Sequence, residues 1–451
     1  MKKKLLTLFS LVLTICILPS FVNAQAAVFN INFQPVSAAI QLVNLDTDTI
    51  VYQKNADARR EPASTTKIMT FIIVSEKIKD LEGTKITITK KLMDSLLGTG
   101  SSMSNIKIGD QLTALQLLNC MLVPSGNDAA LILADYVGNG NTDSFVDMMN
   151  KKAKDLGCTG THFANPHGLH DENHYTTAGD LAKITKYAMS LPHFTEITSQ
   201  TRYSYKPVGG PDAGKVRNLS TTNLMIDKNT GGTYYYQYAR GIKTGHTDEA
   251  GYCLVSTATY GGYSYLCVTL GAPDIDAAGK PIKTRGEIND TKSLYRWAFN
   301  NLELKKNLVS TSDSLGEIKV NNAWNKDKLL LVAEKNYSTM LPVGVSSSSI
   351  IITKHLPDSV DAPVKKGDII GTATLSYANQ ELTTVNLVAS QSVERSELLQ
   401  TTNSIKKVFT SPWFIAIAAI IIVLVIIYII LALIYNRKKK NLRKVKKYRK
   451  M

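Results

Sequence analysis

The sequence predicts an α/β (α+β) domain with an antiparallel sheet and helices, followed by a small all-β domain and one C-terminal transmembrane helix. Hairpin-like runs flank helical segments across residues 27–305, short strand-like runs separated by turns fill residues 309–395, and residues 413–435 are apolar without a charge. Helices combined with hairpins indicate a layered domain with an antiparallel sheet, whereas repeated short strands indicate an all-β unit.

Four stretches define the elements of the first domain. "AAIQLVNLDTDTIVYQKN" and "GYCLVSTATYGGYSYLCVTLGA" each hold two alternating apolar runs about a turn, which predicts two hairpins, the second turning at Gly261 and Gly262. "ALQLLNCMLVPSGNDAALILADYV" predicts two helices, because Pro124 interrupts the helical pattern. "EPASTTKIMTFIIVSEKI" predicts a helix that begins near Pro62 and is apolar most of the way round, so we expect it to be buried.

The two ends of the chain indicate export and membrane anchoring. Residues 1–26 combine a basic head, an apolar run and small residues, the pattern of a secretory signal peptide. As a helix, residues 413–435 would extend roughly 34 Å, enough to cross a bilayer. A polar linker, 396–412, precedes this segment and a basic tail, 436–451, follows it. The positive-inside rule predicts a single-pass cell-membrane protein with a cytoplasmic tail and extracytoplasmic folded domains.

Charge and cysteine usage exclude two further classes. The net charge is +15, but the ten Lys/Arg of the tail and the three lysines of the basic head account for 13 of these charges. The remaining chain is nearly neutral, so a nucleic-acid partner is not expected. Four cysteines follow the signal peptide (Cys120, Cys158, Cys253 and Cys267) without a Cys-x-x-Cys pair. We predict four unpaired thiols and no cysteine-rich zinc site.

A serine and a lysine three residues apart open the buried helix. Ser64 and Lys67 should share a helical face. A serine hydroxyl becomes a good nucleophile only beside a base. Lysine can be that base if its pKa falls from about 10.4 toward neutrality, which burial and a helix N-terminus both favour. The same spacing recurs at Ser104–Lys107 and Ser404–Lys407, but neither pair opens a buried helix.

Two further motifs offer polar groups at turns and strands. "PSGND" presents Ser125 and Asn127 at the break between two predicted helices, where a hydroxyl and an amide could relay a proton and hold a substrate amide. "RGIKTGHT" places Lys243, Thr244 and Gly245 in a strand-like run. The glycine lets a substrate backbone approach the strand, and the lysine and threonine offer donors to an anion.

In this order the three motifs match the signature of penicillin-binding proteins and class A β-lactamases. Longer stretches strongly resemble the low-molecular-weight penicillin-binding proteins of the serine-type D-Ala-D-Ala carboxypeptidase family, namely "KNADARREPASTTKIMT", "LLNCMLVPSGNDAA", "NPHGLHDENHYTTAGDLAKI" and "GIKTGHTDEAGYCLVSTA". The resemblance runs from residue 38 to 299 and, more loosely, through the all-β domain. It implies a penicillin-binding/β-lactamase-like catalytic domain over residues 27–305.

The resemblance also implies roles for the matching residues. Ser64 would attack the carbonyl between two D-alanines of a peptidoglycan stem peptide, and Lys67 would accept its proton. Ser125 and Asn127 would assist proton transfer and substrate placement, while Lys243 and Thr244 would face the terminal carboxylate. Gly245 belongs to the same substrate-binding strand, and the backbone N–H groups of Ser64 and His246 would form the oxyanion hole. β-Lactam antibiotics would be covalent inhibitors, and no cofactor is expected.

One position departs from the family pattern. The family usually places an arginine at a fixed distance before the Trp-x-Phe at residues 297–299, where it helps to bind the carboxylate. Glu287 occupies that spacing here, and Arg285 lies two residues earlier. Arg285 is therefore the candidate for the carboxylate-binding arginine.

Three alternatives remain open at this point. "HGLHDENH" offers His167, His170, Asp171 and His174 as candidate zinc ligands, although the stretch also matches the serine family's own loop. A class A-like β-lactamase would need a glutamate that activates water, and Glu172 lies in a suitable region within sequence that does not match. The third alternative is a catalytically idle penicillin-binding scaffold at the membrane.

Overall fold

The computed structural model describes residues 29–96, 98–324, 326–378, 380–397, 401 and 408–448. The predicted signal peptide, Ser404–Lys407 and the last three residues of the basic tail lie outside this range. The chain divides into two compact units. The first contains the described residues up to Leu308 with 338–351 and 375–384, and the second contains 309–337, 352–374 and the described residues from 385 onward.

A five-stranded antiparallel sheet forms the centre of the first unit, in the order β2-β1-β9-β8-β7. Its strands are β1 Ala39–Asn44, β2 Thr49–Lys54, β7 Ala239–Thr247, β8 Gly251–Tyr260 and β9 Tyr263–Ala272. Two small sheets pair β3 Lys85–Thr87 with β4 Gln111–Thr113 and β5 Arg202–Tyr205 with β6 Arg217–Ser220. Both predicted hairpins are confirmed as β1–β2 and β8–β9, and β7 is left at a sheet edge.

Eight helices accompany the strands within the described part of the first unit: α1 Lys67–Lys77, α2 Lys90–Asp94, α3 Ala114–Leu122, α4 Asn127–Val137, α5 Thr142–Asp155, α6 Ala178–Met189, α7 Phe194–Thr198 and α8 Gly286–Asn301. The predicted break at Pro124 is confirmed, because α3 ends and α4 begins on either side of it. The helix expected from Pro62 begins as a 3₁₀ turn, Ala63–Thr66, and continues as α1. Every residue of 67–74 is buried, so α1 lies within the core as predicted.

The second half of the chain is β-rich, as predicted. Its strands are β10 Leu302–Val309, β11 Gly316–Asn321, β12 Lys328–Ala333, β13 Tyr337–Pro342, β14 Ile351–His355, β15 Ser359–Asp361, β16 Ile369–Tyr377 and β17 Gln380–Ala389. One sheet has the order β14-β16-β17-β12-β11-β15, and β10 pairs with β13. Alternate core-facing residues of β12 are buried, which is the pattern of a strand with one solvated face.

The C-terminal segment is a single helix, α9, from Pro412 to Tyr448. Its stretch Pro412–Lys438 is long and apolar enough to cross a membrane and includes the predicted span 413–435. The helix also continues into the basic tail.

The four cysteines outside the signal peptide are free and buried, as predicted. Cys267 pairs in register with Ser256 across the β8–β9 hairpin, so Cys253 does not lie opposite it.

Candidate active site

Ser64 lies in the short 3₁₀ turn that leads into α1. In a 3₁₀ turn, side chains three residues apart eclipse one another, so Ser64 stands directly over Lys67. Ser64 is half-buried, whereas Lys67 is 0% exposed. The turn therefore presents a hydroxyl at the surface of the core and an amine directly beneath it.

The buried amine of Lys67 has three hydrogen-bond partners. Its Nζ lies 2.8 Å from Ser64 Oγ, 2.6 Å from Asn127 Oδ1 and 2.8 Å from the His167 carbonyl oxygen. Burial lowers the pKa of Lys67 well below its usual value, and the nearby Lys243 lowers it further, while Asp128 opposes both effects. The site thus favours a neutral amine.

The partners of Lys67 also orient that amine. A neutral amine keeps two N–H groups and one lone pair. The Asn127 Oδ1 atom and the His167 carbonyl can only accept hydrogen bonds, so they take the two N–H groups. The lone pair is then directed at Ser64 Oγ, the position that a base must occupy to remove the hydroxyl proton.

Asn127 and Ser125 occupy the junction before α4. Asn127 is the first residue of that helix, and Asp128 holds the junction by accepting from Ser104 N at 2.9 Å and Ser104 Oγ at 2.7 Å. Ser125 is 4% exposed and has a left-handed φ of 68°. Such a conformation is costly for serine and persists only where surrounding contacts hold it. Ser125 is near Asn127 in the chain, but its hydroxyl is not among the three hydrogen-bond partners of Lys67 Nζ.

The edge strand β7 carries Lys243, Thr244, Gly245 and His246. Lys243 is 1% exposed, and its Nζ donates to the Thr244 carbonyl at 2.8 Å. Burial lowers the pKa of Lys243 to about 7. A Cβ at Gly245 would lie 3.1 Å from the Ser64 backbone nitrogen. The glycine therefore lets β7 pack against the 3₁₀ turn Ala63–Thr66, here called the nucleophile turn after the predicted role of Ser64.

The side chains of His246 and Arg285 both contact Tyr252, the cross-strand partner of His246 on β8. The His246 ring centroid lies 4.4 Å from that of Tyr252, and its Nε2 lies 2.8 Å from Asp274 Oδ2. The Arg285 guanidinium lies 4.3 Å from the Tyr252 centroid. Arg285 is thus brought beside the strand that carries the other predicted substrate-binding residues.

Glu287 fixes the position of Arg285. Arg285 Nε donates to Glu287 Oε1 at 2.7 Å, and the same oxygen lies 2.6 Å from a terminal guanidinium nitrogen. Glu287 is 0% exposed, and burial raises its pKa although Arg285 opposes the rise. Glu287, which occupies the position of the family's arginine, therefore holds the guanidinium of Arg285 in place.

Three contributors to this site were not predicted from the sequence. His167 contributes a backbone carbonyl to Lys67, and Thr222 Oγ1 lies 2.6 Å from Thr244 Oγ1. Gly168, with a φ of +91°, packs its backbone against the nucleophile turn. The signal for Gly168 is a glycine inside the loop "NPHGLH", a stretch interpreted above only through its family resemblance and its candidate zinc ligands.

Replacing Gly168 with alanine is expected to displace the nucleophile. A Cβ on Gly168 would lie 1.9 Å from the Ala63 carbonyl oxygen, and the positive φ adds backbone strain. We expect a loss of about 2–4 kcal/mol in the free energy of unfolding. We also expect kcat/KM to fall about 100-fold, because small displacements of a reacting group are costly. Thermal unfolding and peptide hydrolysis measure the two effects.

Gly157→Ala is the matched control. Gly157 also has a positive φ, +71°, but a Cβ there would meet open space. This variant should lose about 1 kcal/mol of stability from backbone strain alone and keep its kcat/KM. Equal kinetics for the two alanine variants would contradict the role assigned to Gly168.

The candidate zinc-binding histidines lie in different environments. His174 is buried, with Nε2 2.7 Å from Thr66 Oγ1 and Nδ1 accepting from Ala164 N at 3.0 Å, and burial lowers its pKa to about 4. Burial also lowers the pKa of His167 to about 3. His170 is exposed and bonds Glu61 at 2.9 Å. The glutamate considered for a β-lactamase, Glu172, is exposed and is not a hydrogen-bond partner of Lys67 Nζ.

Comparisons with known proteins identify the relatives of this chain. Residues 28–274 match the D-alanyl-D-alanine carboxypeptidase family, and residues 305–395 match the C-terminal domain of penicillin-binding protein 5. The D-alanyl-D-alanine carboxypeptidase DacF of Bacillus subtilis is 28% identical over 398 residues, which cover 88% of this chain and 96% of that protein. A D-alanyl-D-alanine carboxypeptidase from Streptomyces is 36% identical over 253 residues, which cover 54% of this chain and 84% of that protein.

Solved structures also resemble this chain. Penicillin-binding protein 5 from Haemophilus influenzae superposes with a TM-score of 0.66 at 26% identity, covering 81% of this chain and 100% of that one. A DD-transpeptidase from Streptomyces superposes with a TM-score of 0.54 at 30% identity and covers 60% of this chain.

Proposed function

Because the chain belongs to the D-alanyl-D-alanine carboxypeptidase family of penicillin-binding proteins, we propose that it removes the terminal D-Ala from peptidoglycan stem pentapeptides through an acyl-enzyme on Ser64. The observation that carries the proposal is the environment of Lys67 Nζ, a buried amine 2.8 Å from Ser64 Oγ whose other two partners can only accept hydrogen bonds. This arrangement supplies the base that a serine nucleophile needs.

In the proposed reaction, Lys67 accepts the Ser64 proton as Oγ attacks the carbonyl between the two D-alanines. The backbone N–H groups of Ser64 and His246 stabilise the oxyanion, and such a donor typically contributes about 3–4 kcal/mol. The C–N bond then breaks, and the leaving amine takes up the proton that Lys67 accepted, with the help of Ser125 and Asn127. Water hydrolyses the ester and regenerates Ser64. A β-lactam acylates the same Ser64 oxygen as its ring C–N bond opens, and the resulting ester is hydrolysed slowly.

The terminal carboxylate binds beside β7 in this proposal. Lys243 and Thr244 face it, Gly245 gives the substrate backbone room, and Arg285 adds a second cation. The support is the position of β7 at the edge of the sheet, where the substrate can extend along the strand.

The test is D-alanine release from an acetylated pentapeptide ending in D-Ala-D-Ala, with the full-length protein in detergent and EDTA. Release in EDTA, together with one benzylpenicillin bound per chain on the peptide that contains residue 64, supports the proposal. Loss of release in EDTA would favour the zinc alternative. Rapid repeated turnover of penicillin would favour a β-lactamase. A stable penicillin adduct without D-alanine release would favour an idle scaffold.

Replacing Arg285 with glutamine should weaken recognition of the terminal carboxylate. Loss of a hydrogen bond to a charged group should lower kcat/KM about tenfold or more. Glu287→Gln should act in the same direction because it releases the guanidinium. The measurement compares a pentapeptide with a free terminal carboxylate against its C-terminal amide, and the preference for the carboxylate should fall in both variants.

Arg240→Gln is the control for this comparison, since Arg240 also lies on β7 but its guanidinium bonds the backbone carbonyls of Gln237 and Ala239. An equal loss for carboxylate and amide peptides in Arg285→Gln would show that Arg285 has a structural role only.

We also propose the domain boundaries and topology that the sequence predicts. The catalytic domain is 27–305, the all-β domain 309–395 and the linker 396–412, with α9 spanning the membrane and the tail 436–451 in the cytoplasm. The support is the apolar stretch Pro412–Lys438 followed by basic residues. Protease added to intact cells should digest both folded domains while protecting an epitope at the C-terminus. Digestion of that epitope would reverse the proposed orientation.

A further inference from the structure

A pocket of about 390 Å³ lies beside the turn that follows β7. The turn between β7 and β8 forms one side of it, with Asp248 and Glu249. Residues 59–61, which lead into the nucleophile turn, form another side, with Arg59, Arg60 and Glu61. The pocket therefore adjoins both chain segments that define the reaction site, and it carries charged side chains of both signs.

The direction of the substrate along β7 leads into this pocket. The proposed function places the terminal carboxylate at Lys243 and Thr244 and the scissile carbonyl at the His246 N–H. The stem peptide must then continue past Thr247, toward the turn that follows β7. An extended chain advances about 3.3 Å per residue. The third residue of the stem, which precedes the two D-alanines, therefore lies beside the pocket.

One part of the pocket suits an ammonium group. The carboxylates of Glu61 and Glu249 and the ring of His170 place their ligand atoms within 4.8 Å of one another. Two carboxylates at such a separation repel each other, and a cation between them relieves the repulsion. Among the described residues, Glu61 has an ion pair with His170, and Glu249 has none within 4.0 Å.

The other part of the pocket suits a carboxylate. The Arg59 guanidinium is stacked 4.4 Å from the Tyr175 centroid. The backbone of Arg60 is fixed by hydrogen bonds with Thr176 of 2.8 and 2.9 Å. Neither arginine forms an ion pair within 4.0 Å in the part of the chain that the structure covers. Unpaired guanidinium groups on a fixed backbone are well suited to bind a carboxylate.

We propose that this pocket binds the side chain of the third stem-peptide residue and selects one that ends in both an ammonium and a carboxylate, as in a diamino-dicarboxylic acid. Glu61 and Glu249 bind the ammonium, and Arg59 and Arg60 bind the carboxylate. The inference rests on the proposed carboxypeptidase function and names its substrate class.

The experiment compares three pentapeptides that differ only in the third residue, with the full-length protein in detergent and EDTA. The third residue is meso-diaminopimelic acid, lysine or N6-acetyllysine, so the side chain ends in both charges, in the ammonium alone or in neither. We expect kcat/KM for D-alanine release to fall in that order, by about threefold to fivefold at each step, the size of a partly exposed ion pair.

Two variants test which residue causes each preference among the three peptides. Glu249→Gln should reduce the preference, measured as the ratio of kcat/KM values, for the lysine peptide over the acetyllysine peptide. Arg60→Gln should reduce the preference for the diaminopimelate peptide over the lysine peptide. Glu82→Gln, an exposed carboxylate on another turn, should change neither ratio. Equal kcat/KM for the three peptides would overturn the inference while leaving the carboxypeptidase proposal intact. Absence of release from all three would overturn the proposed function itself.

Discussion

Ser64→Ala is expected to abolish D-alanine release, lowering kcat/KM by about five orders of magnitude or more, the scale seen when a catalytic serine is removed. The same variant should no longer bind penicillin covalently, because the ester requires Oγ. Alanine suits the 3₁₀ turn, so the protein should fold normally. Sensitive detection of released D-alanine and intact-mass analysis after exposure to penicillin measure the two effects.

Ser75→Ala is the matched control within the same helical segment. The Ser75 hydroxyl is buried and has no hydrogen-bond partner among the described residues, so its removal should not disturb the fold. Ser75→Ala should hydrolyse the pentapeptide and bind penicillin like the wild type. Residual acylation in Ser64→Ala would mean that another residue is the nucleophile.

Lys67→Met is expected to lower kcat/KM by about 10³–10⁴-fold, the contribution of a positioned general base. Methionine fills the buried space but cannot accept a proton. In the wild type, kcat/KM should rise with pH as Lys67 loses its proton, and the rise should be complete well below the usual lysine pKa of 10.5. A profile of kcat/KM against pH measures this rise. The residual activity of Lys67→Met should not show it.

The lowered pKa of Lys67 also makes the free energy of unfolding depend on pH. Between its folded and unfolded pKa values, the unfolded chain binds more protons than the folded one, so this lysine makes the free energy of unfolding rise with pH. Lys67→Met should flatten that dependence below pH 10.5. Lys77→Met, which removes an exposed lysine at the end of the same helix, is the control. An identical dependence in Lys67→Met and the wild type would contradict the lowered pKa.

The parts of the site that could be predicted are local in sequence. Ser64 and Lys67 are three residues apart, so helical geometry alone places them together. Residues on separate elements needed the resemblance to a family, because no local rule joins Lys67 to Asn127, 60 positions away. The exact backbone of the nucleophile turn was not predicted, since Ala63–Thr66 have no residue that distinguishes a 3₁₀ turn from an α-helix.

The parts that were missed act through backbone atoms or through distant pairs. The His167 carbonyl contacts Lys67 across 100 positions, and any residue could supply a carbonyl there. Arg285 itself was predicted from a displaced spacing, but its stacking on Tyr252 was not, because that contact depends on the extended backbone of Arg285 at the N-cap of α8. The ring of His246 was assigned no role, although it contacts Asp274 and Tyr252. Such contacts depend on tertiary structure that no single stretch encodes.

The position of β7 at the sheet edge has a consequence for solubility. A strand with one unpaired edge can recruit a strand from another protein molecule and start aggregation. The nucleophile turn packs against β7 at Gly245, where even a Cβ would lie 3.0–3.1 Å from atoms of Pro62, Ala63 and Ser64. The turn that carries Ser64 therefore packs directly against this part of β7. A second sheet would have to displace this turn to pair with β7 here, so we expect the contact that holds Ser64 beside β7 also to limit self-association.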